Sequence, residues 1–338
     1  MAPLIIVSAI AHYGQALTLS IKGAVMSSKS WALELIDRFS DRTSGDGIWM
    51  NLRRRDVAEG LRARVDNPDE IDQLSTNTCG VASFVRNWAI DDPVGYAWLG
   101  IQLYETGRGR IDNPRSKSVK IISSHEALRK HPLPHDSQGR PMNPADWIIL
   151  ASVRHSFNSV MQYPDPVFGE AISAINFPGD VVGMFRAAGY QKIVDGTNWL
   201  SSRGYENATK AGELCDAGWR VVFLINSRLL DDAGASSTAL ITSSDHWVVL
   251  VNPEKLPSSP SSSSSGSYFT DADELSSAMG AVDINYFWRR NAPVEVDRIG
   301  VRFRCYTWGS VRRVPQNGGY FPWRVFQQHY FGYVAALY

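Results

Sequence analysis

The chain has 338 residues, 34 basic against 34 acidic side chains, and 44% hydrophobic residues, enough for one large core or two smaller ones. Zero net charge gives no support for nucleic acid or an anionic membrane as partner. Three dispersed cysteines, Cys79, Cys215 and Cys305, exclude a disulfide framework and a Cys-x-x-Cys metal site; no set of His and carboxylates stands at metal-ligand spacing either, and no metal or other cofactor is expected.

In chain order, the apolar run Pro3 to Ala11 has no preceding Lys or Arg and reads as mature structure. The expected location is cytoplasmic, or exported without a clear signal. No run approaches the ~20 apolar residues of a membrane span. Trp31, Leu35, Ile36 and Phe39 give a helical repeat over 29–40, and a second short helix fits 55–65, with Arg53 to Arg55 as a solvated patch. Asn67-Pro68 then breaks the chain, because the residue before proline is pushed out of the helical region.

Next comes Gln73-Leu-Ser-Thr-Asn-Thr-Cys79-Gly80, followed by Val81, Phe84, Val85 and Trp88 on one helical face. Thr76, Asn77 and Thr78 offer capping oxygens. Cys79 therefore falls in a first helical turn, where N–H groups and the helix dipole favour thiolate. Asp91-Asp92-Pro93 stops and restarts the helix, and Tyr96 to Tyr104 marks another that ends at Gly107. Residues 112–144, rich in Ser, Pro, His and Asn, read as a long surface connection. Helices follow at 146–160 and 180–188, the latter closed by Gly189.

Strands then take over at 218–225, 246–251, 282–288, 301–307 and 326–337, with a flexible Ser/Pro insertion at 256–267. The fold expected is α+β, a helical N-terminal part packed on a mainly antiparallel C-terminal sheet. It divides into an N-terminal helical extension (1–72), a mainly helical part carrying the cysteine (73–217) and a β-rich part carrying a histidine (218–338).

His246 opens a buried strand, where its ring can face a cleft with firm support, and is the best general base; His155, inside the 146–160 helix, is its rival. The plain alternative for Cys79 is a buried thiol behaving as a small hydrophobe. Gln, a Cys six residues on at a helix start, and a distant His at a strand start occur in the order that resembles the papain-like cysteine hydrolases. Tyr306-Thr307-Trp308-Gly309 is similar to that family's Asn-Ser-Trp-Gly segment. The resemblance covers landmarks in 73–91 and 246–309.

The resemblance implies a papain-like fold, Cys79 as nucleophile, His246 as base, and an oxyanion held by the Gln73 amide and the Cys79 N–H. It implies a peptidase acting on a protein or peptide through a thioester. Tyr306 stands where the family has the Asn that orients histidine. Pairing Val251 with Val301 sets Tyr306 opposite His246, so Tyr306 is the expected orienter, with Asp283 as alternative. Asn252 is excluded, being about 20 Å along the strand from His246. Two other readings remain open: a protein glutamine deamidase or acyltransferase of toxin or effector type using the same Cys and His, and a non-catalytic binding protein on the same scaffold.

Overall fold

A computed structural model of the chain describes residues 27–43, 45–74, 76–157, 177–198, 200–232, 243–251 and 300–338. Among the described residues four helices come first: α1 Ser28–Ser40, α2 Arg54–Asp66, α3 Cys79–Asp91 and α4 Pro93–Thr106. A ribbon of β1 Arg108–Asp112 and β2 Val119–Ser123 continues through the short α5 Glu126–Lys130 to α6 Pro144–Phe157 and α7 Pro178–Ala187. After β3 Lys192–Asp195 and α8 Tyr205–Asp216 come β4 Arg220–Ile225, β5 His246–Leu250, β6 Gly300–Val301, β7 Phe303–Thr307, β8 Ser310–Val314 and β9 Phe321–Pro322. α9 Trp323–His329 and β10 Tyr330–Leu337 complete the order. The chain is α+β, helical toward its N-terminus and antiparallel β toward its C-terminus.

α3 is buried on nearly every side from Cys79 to Ala89, including the polar Ser83, Arg86 and Asn87. Its Phe84 stacks on Trp88 and meets Phe185 of α7 edge-on at 5.4 Å. Each such side chain contributes roughly 1.5–3 kcal/mol on burial, which fixes α3 as the central helix. Asp92 accepts the Gly95 N–H at 2.8 Å to start α4, and Gly107, at φ 67°, ends it. Asp91 is held by Arg220 and by the Tyr190 hydroxyl, tying the far end of α3 to β4.

Among the described residues the main sheet has the order β3-β10-β4-β5-β7-β8, every neighbouring pair antiparallel. β3, upstream of residue 218, forms one edge. The strand alternation turns Val222, Leu224, Trp247, Val249 and Tyr306 toward the helical core that includes Cys79. Val221, Phe223, Val248, Leu250 and Cys305 face the opposite core, with residues of α8 and α9.

Three local expectations are corrected. The 112–144 connection contains β2 and α5; alternation there spans only five residues, with Val119 and Ile121 exposed and Ile122 buried, too short to stand out in a polar stretch. The final strand starts at Tyr330, not 326, because Trp323 and Phe326 share a helical face and the Trp323 Nε1–H donates to Gln327 at 3.0 Å. The 301–307 strand is broken at Arg302, since β6 pairs with β9 while β7 pairs with β5. The expected strand at 282–288, the 256–267 insertion, the Pro3 to Ala11 run, Asn252 and Asp283 lie outside the described residues. No helix among the described residues is long and apolar enough to cross a membrane.

Candidate active site

The segment leading into Cys79 is tied down at nearly every residue. Asp69 takes two hydrogen bonds from Arg86 of α3, at 2.8 and 2.6 Å. The Ile71 carbonyl accepts from the Tyr306 hydroxyl, and the Asp72 N–H donates to Asp146, which is itself locked to Arg64 at 2.7 Å. Asp146 is 1% exposed, and burial raises its carboxyl above the usual range despite the Arg64 charge. The Asp72 carboxylate accepts the Leu74 N–H at 2.8 Å and holds Leu74 at φ 48°. A non-glycine residue there costs about 1–2 kcal/mol, which these ties outweigh. The Gln73 carbonyl accepts from the Thr76 N–H and hydroxyl, at 3.0 and 2.6 Å. Its side-chain amide is nearly buried, with no hydrogen bond among the described residues.

Cys79 opens α3 as the sequence predicts, but the cap differs. Thr78 occupies the N-cap without a side-chain cap bond, because its hydroxyl meets that of Thr76 at 2.9 Å. The first-turn N–H groups stay open, and those of Cys79 and Gly80 lie against the sulfur together with the N–H of Trp247 from β5. All three favour thiolate. Burial wins nonetheless: Cys79 is 4% exposed, and its thiol is pushed up to about 11, with Asp245 adding to the rise. The thiolate expected from the helix start is therefore a neutral thiol at rest.

The Trp247 N–H contact sets the sulfur one peptide unit from His246, the first residue of β5. β5 and β7 pair only at Val249–Tyr306 and Leu250–Cys305, so the ladder stops before reaching this end. The His246 Nε2 lies 2.8 Å from the Thr307 Oγ1, and its ring stacks on Trp308 at 4.6 Å. Burial, reinforced by the Arg312 charge, lowers its pKa to about 3, so the ring is neutral. The tautomer protonated at Nε2 donates to Thr307 and leaves the Nδ1 lone pair open; among the described residues Nδ1 has no hydrogen-bond partner. No hydrogen bond joins His246 to Cys79 at rest.

Tyr306 does not orient His246. Val251 faces Arg304 rather than Val301, since β6 has left the ladder to pair with β9. That odd shift in register turns Tyr306 to the helical face, where Arg86 lies over its ring at 5.4 Å, and brings Thr307 to the histidine. Thr307 and Trp308 are the residues the sequence reading missed. Their signal was the Trp308-Gly309 pair, a two-residue hairpin turn that makes Thr307 the last strand residue. Thr307 pairs with Ser310, and Trp308 and Gly309 sit at φ 46° and 67°, both positive as such a turn requires. A Cβ on Gly309 would fall 2.9 Å from the Asp72 Cβ, so only glycine lets the turn seat against the Gln73 loop.

His155, the rival base, is exposed on the last turn of α6, its ring 5.7 Å from that of His125. No group of His, Cys, Asp and Glu suited to a metal ion occurs among the described residues. The described geometry gives a Gln73 loop held in place, a helix-start thiol against the Trp247 N–H, and, on the neighbouring strand residue, a neutral imidazole bonded to Thr307. No protein-family model, curated protein or solved structure matches the chain.

Proposed function

We propose that the protein is a thiol-dependent acyl hydrolase, a papain-like cysteine peptidase acting on a protein or peptide. The observation that carries this reading is the Cys79 sulfur lying against the Trp247 N–H, one peptide unit from a histidine braced through Nε2. His246 Nδ1 takes the thiol proton as the sulfur attacks an acyl carbon, giving a thioester. The oxyanion is met by the Gln73 amide and the Cys79 N–H, and water on the thioester completes hydrolysis. Because thiol and imidazole are both neutral at rest, proton transfer accompanies attack and no ion pair precedes it.

The raised thiol pKa and low exposure also favour a second reading, a non-catalytic binding protein with an inert buried cysteine. The test compares wild type, Cys79→Ala and His246→Ala on fluorescein-labelled casein, with ammonia release followed in parallel and folding checked by circular dichroism. Hydrolysis requires that both folded variants lose cleavage. Ammonia without cleavage assigns a glutamine deamidase using the same pair. A folded His246→Ala protein with full turnover refutes the base. Iodoacetamide separates the binding-protein reading: Cys79 reacts faster than Cys215 and Cys305 if His246 assists it, and His246→Ala abolishes the excess.

A further inference from the structure

From Gly300 to Tyr338 this electroneutral chain carries five arginines and no Asp or Glu. Two of them, Arg312 and Arg313, line an open pocket of about 310 Å³ with Gln316, on the strand that follows the Thr307–Ser310 turn. Among the described residues neither has a carboxylate partner: Arg312 donates its Nε–H to Ser310 at 3.2 Å and lies over the Trp308 ring at 5.2 Å, and no ion pair engages either guanidinium. Asp232 accepts from the Gln316 and Asn317 N–H groups, both at 2.8 Å. Arg313 also sits directly across the hairpin from Arg304, a like-charge pairing that works against the fold. Trp308 contacts both groups, its ring stacked with that of His246 and lying under the Arg312 guanidinium. Two forked cations with spare N–H groups, one aromatic ring away from the base, match the geometry of a carboxylate.

We propose that the Arg312–Arg313–Gln316 pocket is a substrate subsite that takes a carboxylate of an acidic peptide, seating it so that a nearby acyl carbon lies at Cys79. The peptide's role as substrate rests on the hydrolase reading; the binding of the carboxylate does not. The subsite confers preference for a peptide with an acidic side chain or a free C-terminal carboxylate a few residues from the bond attacked.

The test uses the full-length Cys79→Ala protein and fluorescence anisotropy with three fluorescein-labelled hexapeptides. One is Ala-Ala-Glu-Glu-Ala-Ala amide, one its Gln-Gln counterpart as the amide, and one the Gln-Gln peptide with a free C-terminus. The Glu-Glu amide binding roughly tenfold tighter than the Gln-Gln amide assigns an acidic side chain as the ligand, and the same gain for the free acid alone assigns the terminal carboxylate. Either preference disappears in R312Q/R313Q and persists in R53Q/R55Q, an exposed pair at the start of α2 that does not line the pocket. Equal affinity for all three peptides, or a preference that survives R312Q/R313Q or vanishes in R53Q/R55Q, overturns the proposal. In wild type the preferred peptide slows iodoacetamide alkylation of Cys79 several-fold; binding without that protection overturns the placement beside the thiol. Loss of casein cleavage on mutating Cys79 is scored separately, so a failed subsite and a failed hydrolase reading give different results.

Discussion

Acidification isolates the buried histidine. His246 has an ordinary pKa of 6.5 and a folded value of about 3, so below pH 6.5 the unfolded chain takes up a proton that the folded chain refuses. Stability present above pH 6.5 is therefore lost as pH falls toward 3. Each pH unit within that window removes about 1.4 kcal/mol, so going from pH 7.5 to 4.5 costs about 2.7 kcal/mol through this ring alone. His246→Gln keeps an N–H for Thr307 but cannot titrate. Asp146 and Asp245, whose raised carboxyls act in the opposite sense, and His155, whose lowered pKa acts in the same sense, titrate in both proteins and cancel in the difference. The assay is urea unfolding of wild type and His246→Gln at half-unit steps from pH 4.5 to 7.5. The wild-type midpoint should fall by about 1 M more than the variant's over that range, given a slope of about 3 kcal/mol per M. Parallel curves would mean that His246 is not held neutral by burial, and the resting state described for the site would be wrong.

Thr307→Val strips the partner from the His246 Nε2 and should destabilise by about 1–3 kcal/mol while lowering turnover, whereas Thr307→Ser restores both; urea unfolding and casein cleavage read the two effects. Gln73→Ala should leave stability near wild type and reduce turnover on the order of 100-fold, the loss of one oxyanion donor, measured as kcat on labelled casein. Asp146→Asn leaves Arg64 without its buried partner and should cost about 3–5 kcal/mol by urea unfolding; a change under 1 kcal/mol would show that the pair does not brace the Gln73 loop. Cys79 alkylation in the absence of substrate should climb about tenfold per pH unit between 7 and 10, in line with a thiol near 11, and a plateau beginning below pH 8 would indicate a preformed thiolate.

The sequence carried α3 and its cysteine plainly, because Val81, Phe84, Val85 and Trp88 repeat at helical spacing and Asp92-Pro93 marks the next start. β5 was equally plain, an unbroken apolar run buried from both faces. The partner of His246 was not readable in the same way. Register between β5 and β7 depends on β6 leaving to pair with β9, a decision made by a segment downstream of both, and an odd shift exchanges Tyr306 for Thr307. The charge state of Cys79 also escaped the sequence: open N–H groups can be anticipated from a helix start, whereas the desolvation that outweighs them belongs to the assembled core.

The hydrogen bond from Tyr306 to Ile71 spans 235 positions of the chain, and the Gly309 turn rests on Asp72 across a similar distance. Contacts of such long range are the slow ones to form, since the loop they close must be ordered before they reward it. Residues synthesised well after Cys79 thus complete the setting of its thiol. A growing or partly unfolded chain holds Cys79 and Gln73 without the braced histidine, so under the hydrolase reading the proposed chemistry waits until the fold is finished.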